Sequence, residues 1–253
     1  MGKVGSTSVW DALTELGLQP IQLHVLDADR ISLLTQEHEL RGFDVPDHIR
    51  DAVRVQSLIA NPNEKFRIIS LVRDPVARNL SALFETWDIY PPSYDEAGGP
   101  AKLAEWFVMN FDYSVLKWFD QEIKARAGID VFEHPFDHGK KRLIIETERA
   151  KILIMRKEDS QAEKERNLRD FLEVPDVSLG YSNVTAKKGK SELWGDMIKG
   201  MKVSHTLADI VYGSELVRHF YSPAQMSALK QRWMPSRDGV YFEPDATFLI
   251  DQV

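Results

Sequence analysis

A chain of 253 residues, 43% of them hydrophobic, can bury one sizeable core, and no composition break or linker divides it, so a single domain is expected over residues 1–253. Its 32 Lys and Arg against 39 Asp and Glu leave a net charge of -7, which excludes the broad basic surface of a non-specific nucleic-acid binder; an anionic ligand must meet positive charge that is concentrated locally. The absence of cysteine excludes disulfides, thiolate metal sites and a cysteine nucleophile and fits a cytoplasmic protein, and no apolar run reaches the ~20 residues of an integral membrane segment.

In chain order, Met1 to Thr7 form a small-residue loop, followed by Val9, Ala12, Leu13 and Leu16 at helical spacing up to Gly17, a C-cap. Ile21 to Leu26 is a short apolar strand, and Asp47 to Ala60 has a helical pattern through Ile49, Ala52, Val53 and Ile59. Arg67 to Val72 is a compact β-branched strand ending at Arg73-Asp74-Pro75, after which Ala77, Leu80, Leu83 and Phe84 predict a helix. Pro100 to Arg126 carries Trp106, Phe107, Phe111, Val115, Trp118, Phe119 and Ile123 on one stripe, which predicts one long core helix. Leu143 to Glu146 and Lys151 to Met155 read as neighbouring strands before a charged helix to about Leu172. A loop spans Glu173 to Gly189, and helical patterns return at Leu207 to Val217 and Ala224 to Trp233. Strands alternating with helices predict an α/β layer fold with a mainly parallel central sheet.

Two segments have the chemistry of an anion site. In Gly2-Lys3-Val4-Gly5-Ser6-Thr7-Ser8 the glycines let amides converge, the hydroxyls add donors, the helix start adds partial positive charge and Lys3 a full one. The lysine comes first, unlike the order that serves Mg²⁺ in nucleoside triphosphatases, which argues against a nucleotide kinase. In Arg73-Asp74-Pro75-Val76-Ala77-Arg78-Asn79-Leu80-Ser81, Arg73 leaves a strand end and Ser81 lies about two turns into the next helix, so a guanidinium fork and a hydroxyl can face one anion; Asp74-Pro75 is also an ordinary helix start.

Together these segments resemble the paired donor-binding signature of sulfotransferases that use 3′-phosphoadenosine 5′-phosphosulfate (PAPS). By that resemblance Lys3, Gly5, Ser6, Thr7 and Ser8 hold the 5′-phosphosulfate, and Arg73 and Ser81 hold the 3′-phosphate. The wider chain is similar to bacterial capsular polysaccharide synthesis proteins, a sulfotransferase-like group, through Trp118-Phe119-Asp120-Gln121-Glu122-Ile123, Gly128-Ile129-Asp130-Val131, His134-Pro135-Phe136-Asp137 and His219-Phe220-Tyr221. The resemblance implies a P-loop, nucleotide-kinase-like three-layer fold, PAPS as donor and a carbohydrate acceptor. It also implies an apolar strand running into the first loop, where Met1 stands instead, so that the first strand is expected to be truncated and the true start to lie upstream. In the basic loop Asn183 to Lys190, Lys187 and Lys188 are candidates to close over the 3′-phosphate.

The acceptor hydroxyl must lose a proton, and histidine suits neutral pH. His24 is the preferred base, in a segment similar to the strand that carries the catalytic histidine of uronosyl 2-O-sulfotransferases; Asp27, Asp112 and Glu85 are alternatives. His134 and His138 flank Asp137, but no third ligand is indicated and no metal is assigned. Lys3 is placed to stabilise the leaving phosphate oxygen. The rival from another class is a non-catalytic module that binds 3′-phosphoadenosine in capsular polysaccharide assembly.

Overall fold

The computed structural model describes residues 1–85, 100–180 and 201–234. The chain divides into two compact units, one comprising Met1–Val72 and Lys117–Ser182, the other Arg73–Leu116 and Asn183–Val253.

The first unit opens with α1 (Ser6–Glu15), which buries Val9 and Ala12 and is stopped by Gly17 at φ 76°, where a residue without Cβ is favoured. Residues 21–26 were expected as a strand, but they form no ladder: side chains take their peptide groups instead. Glu122 Oε2 accepts from the amides of Leu26 and Asp27, Trp118 Nε1 donates to the carbonyl of His24 at 3.1 Å, and Gln56 donates to the carbonyl of Leu26. Asp27 then caps α2 (Ala28–Leu40) by accepting from the Arg30 amide at 2.9 Å. The apolar pattern of α2 is too thin to show in the sequence, since Ile31 is the one residue it buries. With α3 (Asp47–Ala60) it closes a small core of Val25, Ile31, Ile49 and Ala52.

β1 (Phe66–Val72) runs parallel to β3 (Ala150–Arg156), and β2 (Arg142–Glu146) runs antiparallel to β3, giving the order β1-β3-β2. The expectation of a mainly parallel sheet is therefore corrected: the described sheet is mixed. Its cause is the short turn between β2 and β3, closed where the Thr147 amide donates to the Ala150 carbonyl at 2.8 Å; a parallel partner would need a crossover of a dozen residues. Beyond β3, Ser160 and Glu163 form a capping box that starts α7 (Gln161–Leu172).

The stripe over residues 100–126 is real, but it does not build one helix. In the second unit, α5 (Pro100–Met109) stops, and Asp112 accepts from both the amide and the hydroxyl of Ser114, which turns the chain into a 3₁₀ segment, Tyr113–Lys117. In the first unit a π-helical turn, Phe119–Lys124, leads into the single turn α6 (Ala125–Ala127), which ends at Gly128.

The second unit starts at Arg73. In α4 (Pro75–Glu85) Val76, Leu80, Leu83 and Phe84 are buried, as their spacing predicts. Three capped helices follow in its later part: α8 (His205–Gly213), α9 (Glu215–Phe220) and α10 (Pro223–Trp233). Asp74, predicted as a cap, is a deeper anchor. Its buried carboxylate accepts from Tyr212 Oη at 2.9 Å and Trp233 Nε1 at 2.6 Å, tying the start of α4 to α8 and α10. Removing a donor from a buried carboxylate leaves its charge under-solvated, so Tyr212→Phe is expected to lower the unfolding free energy by about 1–3 kcal/mol. Urea denaturation at constant pH checks this; an unchanged midpoint would show that the hydroxyl does not anchor the helices.

Candidate functional site

Residues 1–8 are held at both ends. The side chains of Met1 and Val4 are buried, while Lys3 at φ 63° and Gly5 at φ 84° both adopt left-handed backbone. A lysine tolerates that region poorly, and left-handed residues alternating with ordinary ones make the concave arrays of amides that bind anions. The residue at the N-cap of α1 is Gly5, which has no side chain to cap the first turn. The Ser8 hydroxyl donates to the Gly5 carbonyl at 2.9 Å, closing the turn on itself. Ser6 Oγ accepts from Gln22 Nε2 at 2.8 Å, so its own proton remains for an acceptor, and Thr7 Oγ1 lies 3.5 Å from the same amide. Ser6 thus keeps a proton to donate, whereas that of Ser8 is used within the turn.

His24 lies against this loop: a Cβ added at Gly2 would come within 3.7 to 4.0 Å of its ring. Its Nδ1 is 3.1 Å from the Leu23 carbonyl, which can only accept, so Nδ1 carries the proton and Nε2 keeps its lone pair. Burial lowers its pKa from 6.5 to about 4, with the Met1 α-amino group, His48 and Lys3 adding to the depression. The ring is neutral at pH 7 and weakly basic. His48, whose ring centroid is 5.5 Å away, is lowered as well, by burial first and by His38 second.

Sequence reasoning missed the residues that position this histidine. Trp118 and Glu122 lay on what looked like an apolar helix stripe, yet they grip the main chain at residues 24, 26 and 27. An acid four residues after a tryptophan on an otherwise apolar stripe was the available signal. Asp27 is engaged as the cap of α2 and in an ion pair with Arg126, and burial is outweighed by these contacts, which hold its carboxyl below the usual range. It is thereby a structural acid rather than a base. Asp137 accepts from the Lys140 amide at 2.9 Å and holds a turn, while the His138 ring sits edge-on to Phe136.

A cavity of about 330 Å³ lies behind the loop in the same unit. Six consecutive residues, Phe66 to Leu71, line it, so it runs along the outer edge of β1 rather than over one face of the sheet. Val4, Val25 and Ile59 complete a largely apolar wall, which does not suit a phosphosulfate.

In the second unit Arg73 directly follows β1 and is half-buried, and Ser81 sits on the second turn of α4. Asp112, an alternative base, pairs with Arg78 at 2.8 Å, and Glu85 ends α4. Lys187 and Lys188 lie outside the described residues.

Comparison with known proteins gives one similarity. Residues 99–222 match the model of a family described as "NKWYS: Putative capsular polysaccharide synthesis protein". That stretch holds Trp118, Glu122 and β3 but not the Gly2–Ser8 loop, His24, Arg73 or Ser81. No curated protein and no solved structure matches the chain. Among the described residues no helix is long and apolar enough to cross a membrane, and no group of three or more His, Cys, Asp or Glu is arranged to hold a metal ion.

The histidine gives a pH dependence with a definite sign. Its folded pKa lies below 6.5, so the unfolded chain takes up the proton first, and stability is lost as pH falls from about 6.5 toward about 4. The loss approaches about 1.4 kcal/mol per pH unit inside that window. Unfolding of wild type and His24→Asn at pH 7 and at pH 4.5 should converge as pH falls. Parallel losses in the two proteins would mean that another group governs the acid limb.

Proposed function

We propose that the protein is a sulfotransferase that transfers a sulfuryl group from PAPS to a hydroxyl, on a carbohydrate or polysaccharide. The observation that supports this reading is the Gly2–Ser8 loop, in which Lys3 and Gly5 both adopt left-handed backbone directly before the start of α1. The likeness of residues 99–222 to capsular polysaccharide synthesis proteins supports a sugar acceptor. The nucleotide-kinase-like fold belongs to the same proposal.

In this scheme the loop amides, Ser6, Thr7 and Lys3 hold the 5′ end, and Arg73 and Ser81 bind the 3′-phosphate. The acceptor oxygen forms a bond to sulfur as the bond from sulfur to the bridging oxygen breaks. That oxygen leaves on 3′-phosphoadenosine 5′-phosphate with its negative charge stabilised by Lys3, and the hydroxyl proton passes to His24 Nε2. Transfer of this kind has a loose, in-line transition state, so positioning and cationic stabilisation supply most of the rate. A free base of pKa about 4 is weak for the task. Part of that depression comes from Lys3 and the Met1 amino group, and a bound anionic donor offsets both charges, raising the basicity of His24 once the site is loaded.

The low basicity favours a second reading, in which the protein binds the nucleotide without transferring from it. Calorimetric titration with 3′-phosphoadenosine 5′-phosphate, AMP and ATP tests the shared premise. Binding is expected to require the 3′-phosphate and to fall at least tenfold in Arg73→Ala. Equal affinity for AMP would overturn the donor assignment. Where binding holds, sulfation of a panel of sugars that disappears in Lys3→Ala establishes the enzyme; binding with no transfer to any of them leaves the binding module.

A further inference from the structure

We infer that His24 and His48 form an acid-operated latch: when both rings carry a proton, the pair of helices α2 and α3 swings away from the Gly2–Ser8 loop while the sheet stays folded. The latch is independent of the donor reading above.

The helix pair has a small core of its own, Val25, Ile31, Ile49 and Ala52, and the two histidines are the chain neighbours of Val25 and Ile49. Their ring centroids lie 5.5 Å apart, and His24 also sits against Gly2, so this contact joins the start of α3 to the loop. The base of the pair is held differently. Where α3 ends, Arg149 donates to the carbonyls of Ile59 at 2.8 Å, Glu64 at 3.3 Å and Asn61, and a guanidinium does not titrate. Where α2 begins, Glu122 holds the amides of Leu26 and Asp27, and Arg126 pairs with Asp27. Residue 27 and residues 61–63 are therefore the hinges, and the tip between α2 and α3 is the end that opens. His24 stays behind, its carbonyl bound by Trp118.

The charged groups that face the two rings are mostly cationic. The loop presents the Met1 α-amino group and Lys3 to His24, and α2 presents His38 to His48; Asp47, on α3 itself, is the acid that favours a charged His48. Glu122 and Asp27 are engaged with amides and with Arg126. His48 is the less depressed of the two and takes its proton first, after which its charge opposes the proton on His24. Burial lowers both rings below 6.5, so the open form takes up protons that the closed form refuses, and closure weakens as pH falls below about 6.5. With a folded value of about 4, His24 alone favours opening by about 30-fold at pH 5.

Hydrogen exchange at pH 7.5 and pH 5.0, corrected for the intrinsic pH dependence of amide exchange, tests this on wild type and on the double variant His24→Asn, His48→Gln. In wild type the amides of α2 and α3 are expected to lose at least tenfold in protection at pH 5.0 relative to those of β3, and in the double variant that relative loss is expected to vanish. An equal loss in β3, the mark of global unfolding, would overturn the latch, as would a loss that the double variant keeps. Should the double variant fail to fold at pH 7.5, the imidazole resonances of wild type decide. Two rings that titrate together with the onset of exchange in α2 and α3 support the latch, and exchange that sets in without them overturns it.

Discussion

A peptide group withdrawn from water needs a hydrogen-bond partner, and for residues 24–27 of the first unit that demand is met by side chains from far along the chain. Residues 21–26 are apolar enough to be drawn inward but gain no strand to pair with. Glu122 supplies what a neighbouring strand would have supplied, taking the amides of Leu26 and Asp27 on a single oxygen. Its other oxygen, Oε1, is buried and makes no hydrogen bond among the described residues, so those two amides are what offset the desolvation of the carboxylate. Trp118, one helical turn earlier, adds the bond to the His24 carbonyl. The π-helical turn beginning at Phe119 is consistent with the extra residue that such turns insert where a side chain has to be aimed. The path of the His24 segment, the start of α2 and the small core under Val25 all follow from that grip.

Electrostatics then set what the loop can do. The chain is acidic overall, yet Lys3 and the start of α1 place positive charge within a few residues of each other. Burial first, and then the Met1 amino group, His48 and Lys3, hold His24 neutral.

Much of this was legible in the sequence. The Gly-Lys-Val-Gly-Ser-Thr order marked the loop, because glycine, hydroxyl and lysine each have a local job that spacing reveals. The β-branched run at 67–72 and the apolar spacing of α4 were equally plain. What stayed hidden depends on partners distant in the chain. The failure of 21–26 to become a strand is decided by Glu122, some hundred residues later, and Asp74 looked like a cap because Tyr212 and Trp233 are invisible at its own position. The break in the 100–126 stripe came from Asp112, whose carboxylate competes with the helix for the Ser114 amide.

The cavity along β1 gives that strand two unlike sides. Phe66 donates to Arg149, and the Val72 carbonyl accepts from Lys157, so the even-numbered residues direct their peptide groups to β3. Alternation turns Arg67, Ile69 and Leu71 toward the void. In deuterated water the strand should therefore label with a period of two: amides facing β3 wait for the sheet to open, while those facing the cavity exchange as soon as solvent reaches it. That contrast makes β1 a built-in gauge of how often the space behind the loop fills with water.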